Sequence, residues 1–295
     1  MNYTNSSVQK EGNGFIAIQV INVIIFMIIL IGNLLNIIAY IKYKSLRTVS
    51  NSFLTSLSVS DLLSGLIQVI NMIHLDKDAV FIPDLAECVS RFVFLTSLVH
   101  LLLISVDRYI AINDPFHYTE TMTFKIAITL ISLTWIIMAL LTLSPLIVHA
   151  MEDVQLNTIS YYTYKSVILM VCYAITIPAI AAMYGRILFV VRKQHSSVRD
   201  TTYCSTNDDQ PSGRSWRDYR PIIILTVLIV ATFVFWTPFI CFSIYWIGSS
   251  NKNNFNTFAR ILGTMVFANS GLNVFVYASF SKEYRLAYIN ILRCK

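Results

Sequence analysis

Seven stretches of the chain, roughly residues 15–41, 52–75, 86–110, 124–148, 166–190, 221–247 and 257–279, are apolar over about 20 residues or more, the length a helix needs to cross ~30 Å of hydrocarbon. Nothing else in the sequence limits the fold so tightly. Of the 295 residues, 56% are hydrophobic and 13% charged, which is too apolar for a water-soluble protein of this size. The expected fold is an all-α membrane protein, a seven-transmembrane helix bundle. After the last span, Tyr284, Ala287, Tyr288, Ile291 and Leu292 recur at helical spacing on one face, with Lys282, Arg285 and Arg293 elsewhere. That pattern predicts a short amphipathic helix lying on the inner leaflet.

Seven spans put the termini on opposite sides, and the cations decide which is which, because Lys and Arg near span ends stay cytoplasmic. With the N-terminus outside, sixteen Lys and Arg fall on inner segments and six on outer ones. The net charge of +6 is thereby explained as membrane topology, with no nucleic-acid partner implied. Asn2 and Asn5 each begin an N-x-Ser/Thr glycosylation acceptor usable only on the outer face. The first span is expected to direct insertion itself. The expected organisation is an extracellular N-terminus over residues 1–14, a transmembrane domain over 15–280 and an amphipathic helix with a short tail over 281–295. Residues 191–220 are polar, lack apolar periodicity and read as a flexible third cytoplasmic loop. Cys294, at the membrane edge, is a candidate palmitoylation site. Cys88 faces the outer side, with no cysteine in residues 149–165 to pair with.

Polar side chains at mid-bilayer are expensive and normally turn inward toward partners. At 1.5 Å rise per residue, Asp61, Ser97, Asn269, Asn273 and Asn33 fall in one layer, roughly 10 to 16 Å from the inner surface. Asn269 and Asn273 are four apart and share a helix face. Two readings fit this layer: a hydrogen-bonded network that specifies packing, and a hydrated site in which Asp61 and neutral oxygens hold a hard cation such as sodium. The cation site is preferred, since no Lys or Arg lies at that depth to neutralise Asp61; a protonated Asp61 is the alternative.

At the inner end of the third span stand Asp107, Arg108 and Tyr109 in "SVDRYIAINDPFHY". Asp218 lies in the first turn of the sixth span, at the same edge, where it can form a charge-assisted pair with Arg108; Asp107 is a local competitor. Such a pair is either a switch broken by outward movement of the sixth helix or an ordinary juxtamembrane charge pair.

An ordered set of motifs, one per span, resembles the rhodopsin-like (class A) G-protein-coupled receptors over essentially the whole chain. The set comprises Gly32-Asn33, "LSVSDLL" around Asp61, "DRY" at 107–109, Trp135, Pro178, "FWTP" at 235–238 and "NVFVY" at 273–277 followed by "KEYR". The resemblance implies a plasma-membrane receptor, not an enzyme, that passes an extracellular ligand signal to a heterotrimeric G protein, with arrestin as a further partner through the third loop. It implies that Arg108 engages the C-terminal helix of a Gα subunit, that Tyr277 swings inward in the active state, and that Phe116 enters an apolar slot of the G protein. Asp61, Ser97, Asn269 and Asn273, with Trp236 above them, match the family's sodium pocket; no cofactor is implied beyond that allosteric ion.

The departures matter equally. Val274 stands where the family carries a proline, Tyr184 follows Pro178 by six residues rather than eight, and Cys88 lies five residues closer to Arg108 than the usual disulfide cysteine. The missing outer-loop cysteine resembles the melanocortin, cannabinoid, lysophospholipid and adenosine group. Ser90 occupies the position where amine receptors carry an aspartate, which disfavours an amine ligand. Candidate ligand-pocket residues are Ser90, Arg91, Phe94, Phe239, Phe242, Tyr245, Arg260 and Phe267. The ligand class stays open. The competing functions are a small-solute transporter or channel, against which stands the absence of internal repeats, and a receptor-like protein with constitutive or lost signalling.

Overall fold

The computed structural model describes the backbone of residues 2–72, 81–151, 158–202, 216–248 and 256–293, and side chains within 16–70, 85, 87–144, 166–190, 223–224, 226–245 and 258–293. Nine α-helices are present among the described residues: α1 (Asn2–Lys42), α2 (Val49–Met72), α3 (Phe81–Asn113), α4 (Tyr118–Thr121), α5 (Phe124–Met151), α6 (Thr158–Thr202), α7 (Trp216–Gly248), α8 (Asn256–Phe280) and α9 (Lys282–Leu292). Seven of them contain stretches long and apolar enough to span a membrane, among them Glu87–Asn113 in α3 and Ser166–Val190 in α6.

Helix α3 is the axis of the bundle, packing against α2, α5, α6 and α7, while α1 packs against α2, α8 and α9. Two apolar clusters form the interior. One, toward the Arg108 end, gathers Phe53, Leu57, Leu101, Ile104, Ile187, Leu228, Val276 and Tyr277. The other gathers Leu95, Leu98, Tyr173, Trp236, Ile240 and Val266 toward the opposite end. On α8, Asn269 and Asn273 lie between members of the two clusters, and Asn33 on α1, Asp61 on α2 and Ser97 on α3 are buried polar residues as well. The outside is the reverse of a soluble protein: Ile41, Ile128, Leu140 and Ile175 are each at least 60% exposed. Burying such a surface in lipid removes it from water, which is what makes the arrangement stable.

Two expectations need correction. The stretch 191–220 is not loop throughout, because α6 continues to Thr202 and α7 begins at Trp216. Once a membrane span has nucleated a helix, adding polar residues to its end costs little, so composition alone misplaces the boundary. The apolar face of α9 does not simply lie on lipid: Tyr284, Ala287 and Tyr288 are buried in the bundle's own cluster, and Leu292, expected on that face, is 67% exposed. Its start is capped by Ser281, whose side chain accepts from the Tyr284 backbone N–H. Asn2, Asn5, Asp218 and Cys294 have side chains outside the described residues.

Candidate functional site

The polar layer is built around Asp61, which is fully buried on α2. One carboxylate oxygen, Oδ2, accepts a 2.5 Å bond from Asn273 Nδ2 on α8, and the hydroxyls of Ser97 and Ser270 lie beside the same carboxylate. The other oxygen, Oδ1, has no hydrogen-bond partner among the described residues. Asn33 donates to the carbonyls of Ile29 (3.0 Å) and Ser270 (3.3 Å), which leaves its own side-chain oxygen buried and unpaired. Asn269 accepts from Thr232 of α7 at 3.5 Å, and Ser64 donates to Ser270 at 3.1 Å. None of the ion pairs among the described residues involves Asp61. The buried Asp61 carboxylate with its unpaired oxygen and the Ser97 and Ser270 hydroxyls beside it are hard oxygen donors, the chemistry that suits a small cation.

The close approach of α1 and α8 beside this layer depends on Gly32. A Cβ at that position would stand 2.5 Å from Cγ2 of Val274. The residue that departs from the family motif therefore packs directly on the glycine of another motif.

At the Arg108 end, Asp107 is the hub. Its Oδ2 accepts from Arg108 Nη2 at 2.6 Å, Arg108 Nε at 3.0 Å and Ser50 Oγ at 2.7 Å; its Oδ1 accepts from the Tyr118 hydroxyl at 2.7 Å. The carboxylate is completely buried, so these donors replace the water it has lost. Sequence reading identified Asp107 and Arg108 but missed Ser50 and Tyr118. Tyr118 closes the same "DPFHY" segment that carries Phe116, and its phenol is pushed above its ordinary range, first by burial and also by the adjacent carboxylate. The segment is folded back by Asp114, which accepts from the His117 ring at 2.9 Å; that contact holds the Asp114 carboxyl below its usual range. Phe116 projects outward, 89% exposed.

Above the hub, a cavity of about 960 Å³ opens at this end, lined among others by Ser50, Leu54, Arg108, Tyr118, Leu228 and Tyr277. Tyr277 is buried, its hydroxyl has no partner among the described residues, and its ring packs on Tyr284 at 5.6 Å. Tyr109 is half-buried, packs against the interior cluster at this end and lines a separate groove. Tyr184 is buried and hydrogen-bonds to Thr226 across the α6–α7 contact.

In the opposite half, Phe94 meets Trp236 edge-on at 5.0 Å and Phe267 at 5.4 Å; Phe239 packs against the same cluster. Phe242 meets Phe258 edge-on at 5.5 Å, and Tyr245 and Arg260 are exposed. Ser90 is half-buried on α3. Arg91 pairs with Glu87 one turn away, while its Nη1 is buried without a partner among the described residues.

A further network was not anticipated. His100 Nδ1 lies 2.7 Å from the Thr96 carbonyl, which can only accept, so Nδ1 carries the proton and Nε2 accepts from Ser56 at 2.7 Å. Ser56 in turn accepts from Trp135 Nε1 at 3.0 Å. This directed chain ties α2, α3 and α5 together. The spacing of these residues in the sequence does not announce it, because its logic is in burial.

Among known proteins, the chain is 25% identical to the histamine H2 receptor of Canis lupus familiaris over 95% of its own length and 80% of that receptor's. It is 25% identical to the octopamine receptor beta-2R of Chilo suppressalis over 92% and 78%, and 26% identical to the D(5)-like dopamine receptor of Takifugu rubripes over 90% and 64%. The subgroup suggested by the missing outer-loop cysteine is not confirmed by these three. The family described as "7 transmembrane receptor (rhodopsin family)" matches residues 32–277, which include both the polar layer and the Asp107 hub. With seven spans in one bundle and that match across most of its length, the chain belongs to the rhodopsin family of seven-transmembrane receptors.

Proposed function

We propose that this G-protein-coupled receptor is kept inactive by the grip of Asp107 on Arg108, and that an extracellular ligand loosens it so that the cavity behind Arg108 admits the C-terminal helix of a Gα subunit. The observation that carries this reading is the buried carboxylate of Asp107, which holds the guanidinium through two bonds at the wall of that cavity. Ser50 and Tyr118 supply the remaining donors, so releasing Arg108 leaves Asp107 still hydrogen-bonded. Release then leaves a buried charge that is hydrogen-bonded but no longer paired, a cost that ligand and G-protein binding have to offset. Asp218 on α7 offers Arg108 a second carboxylate, Tyr277 moves toward the vacated space, and exposed Phe116 contacts the G protein. Arrestin, where it binds, reads the third loop.

The chain sits in the plasma membrane with its N-terminus, Asn2 and Asn5 outside and Cys294 acylated at the inner face. The cation asymmetry of sixteen to six supports that orientation. Asp61, with Asn33, Ser97, Asn269 and Asn273, holds a sodium ion beneath Trp236; the unpaired oxygens of Asp61 and Asn33 support this. The ligand rests on the floor made by Phe94, Trp236 and Phe267. Histamine, octopamine and dopamine, named for the relatives, are amines. This chain offers Ser90 rather than a carboxylate to such a cation, and Glu87 one turn away is paired with Arg91. The ligand is accordingly one with an acceptor group for Arg91 Nη1.

Gα activation measured in cells across Gα subtypes tests the reading. Arg108→Ala is expected to reduce basal activity to that of cells lacking the receptor, and Asp218→Ala to raise it. Basal activity of Arg108→Ala equal to wild type, at equal surface expression, would overturn it.

A further inference from the structure

Residues 166–190 of α6 contain a single Lys, Arg, Asp or Glu, namely Arg186. It is exposed on the outside of the bundle and sits four residues inside the end of the span at Val190, roughly 6 Å along the helix axis. A guanidinium turned to hydrocarbon is costly unless its long stem carries the head to the interface or a partner meets it. The surroundings supply room for a partner. Arg186 lines a groove of about 490 Å³ between α3 and α6, together with Tyr109, Asn113, Ala182, Gly185 and Phe189.

Polar and apolar groups line the groove together. Tyr109, Asn113 and Arg186 bring a hydroxyl, an amide and a guanidinium, and among the described residues none of the three takes part in a hydrogen bond through its side chain or in an ion pair. The neighbouring acid, Asp114, is already held by His117. On either side of Arg186 along α6 stand Ala182, Gly185 and Phe189, the last 68% exposed. A Cβ added at Gly185 would meet nothing within 4 Å, so the groove is open where a side chain would normally fill it. Its wall continues the lipid-facing surface that includes Ile175.

We propose that this groove is a binding site for an anionic phospholipid of the leaflet at the Arg108 end, which is the cytoplasmic leaflet in the orientation proposed above. The phosphate takes the planar guanidinium of Arg186, whose paired N–H groups match its oxygens. The Tyr109 hydroxyl and the Asn113 amide donate to the remaining headgroup oxygens, and an acyl chain lies over Gly185 against Phe189. Anionic lipids are concentrated in the cytoplasmic leaflet, where a cation at this depth meets them first. A lipid so bound bridges α3, which carries Arg108, to α6.

The test uses the full chain in nanodiscs of phosphatidylcholine containing a small share of photoactivatable phosphatidylserine, with photoactivatable phosphatidylcholine in a parallel set, and maps the crosslinks by peptide. Phosphatidylserine is expected to label residues 182–190 in preference to phosphatidylcholine. Arg186→Gln should lower that labelling about fivefold, the factor for one juxtamembrane cation, without changing the phosphatidylcholine labelling. Gly185→Leu, which fills the groove and keeps the arginine, should lower it as well, while labelling on the exposed face of α5 stays constant. Equal labelling by the two lipids in the wild-type chain, or wild-type phosphatidylserine labelling in Arg186→Gln, overturns the site. Because the readout is lipid contact alone, it stands or falls separately from G-protein coupling.

Discussion

Gly32 and Val274 show how one departure from a family pattern is absorbed by a single neighbour. Valine at 274 removes the helix-kinking ring of proline and sets two methyl groups against α1, where only a glycine leaves room. Gly32→Ala should destabilise the receptor by about 1–3 kcal/mol through overpacking. Combining it with Val274→Ala should recover much of the loss. Melting temperatures in detergent for the two single variants and the double variant test this, and strict additivity would show that the contact is not the cause. Asp61 carries a second residue-scale prediction. Replacing choline with sodium at about ten times its dissociation constant should stabilise the wild-type chain by about 1.4 kcal/mol. Asp61→Asn should lose the effect, and an unchanged sodium shift in that variant would remove the ion from this site. The alignment of Asp61, Ser97, Asn269 and Asn273 was legible because helical rise converts residue number into depth. Ser64 and Ser270 were not, since serines in a membrane helix often bond to their own backbone and carry no signal until the fold aligns them.

At the scale of elements, α9 is the helix whose role differs most from its sequence pattern. Its spacing announces an amphipathic helix, and periodicity cannot say whether lipid or protein covers the apolar face. In this fold the cover is α1 and α8, and Tyr288 donates to Asn36, which in turn donates to Ser58 at 3.0 Å. Tyr288→Phe leaves the Asn36 oxygen buried and unpaired and should cost about 1–3 kcal/mol, seen as a lower melting temperature and faster hydrogen exchange in α9. Burial pushes the phenols of Tyr284 and Tyr288 above their ordinary value. A raised acid pKa contributes stability that is fully present below the unfolded value of about 10 and is lost as pH rises beyond it. Docking of α9 should therefore weaken under alkaline conditions, and Tyr288→Phe should show a shallower alkaline loss than wild type. The helical extension of α6 to Thr202 was equally hidden, because a polar helix end and a polar loop have the same composition.

For the whole molecule, seven spans and their order were legible from hydropathy and motif spacing, since the bilayer imposes both. The Asp107 hub was half legible. The Asp107–Arg108 neighbours are adjacent in sequence, but Ser50 and Tyr118 reach the carboxylate from α2 and α4 and are distant polar residues until the bundle closes. The hub links three helices to one cavity, so loosening it should alter the balance of the entire receptor rather than one contact. The central claim is that Asp107 restrains Arg108, and the most direct measurement is basal nucleotide exchange on a purified heterotrimeric G protein by the reconstituted chain without ligand. Asp107→Asn keeps the size and hydrogen-bonding of the side chain and removes its charge; it should raise basal exchange several-fold, a tenfold rise corresponding to about 1.4 kcal/mol of shifted equilibrium. Exchange by Asp107→Asn no faster than by wild type, from protein of equal thermal stability and on the Gα the wild type activates, would contradict the account.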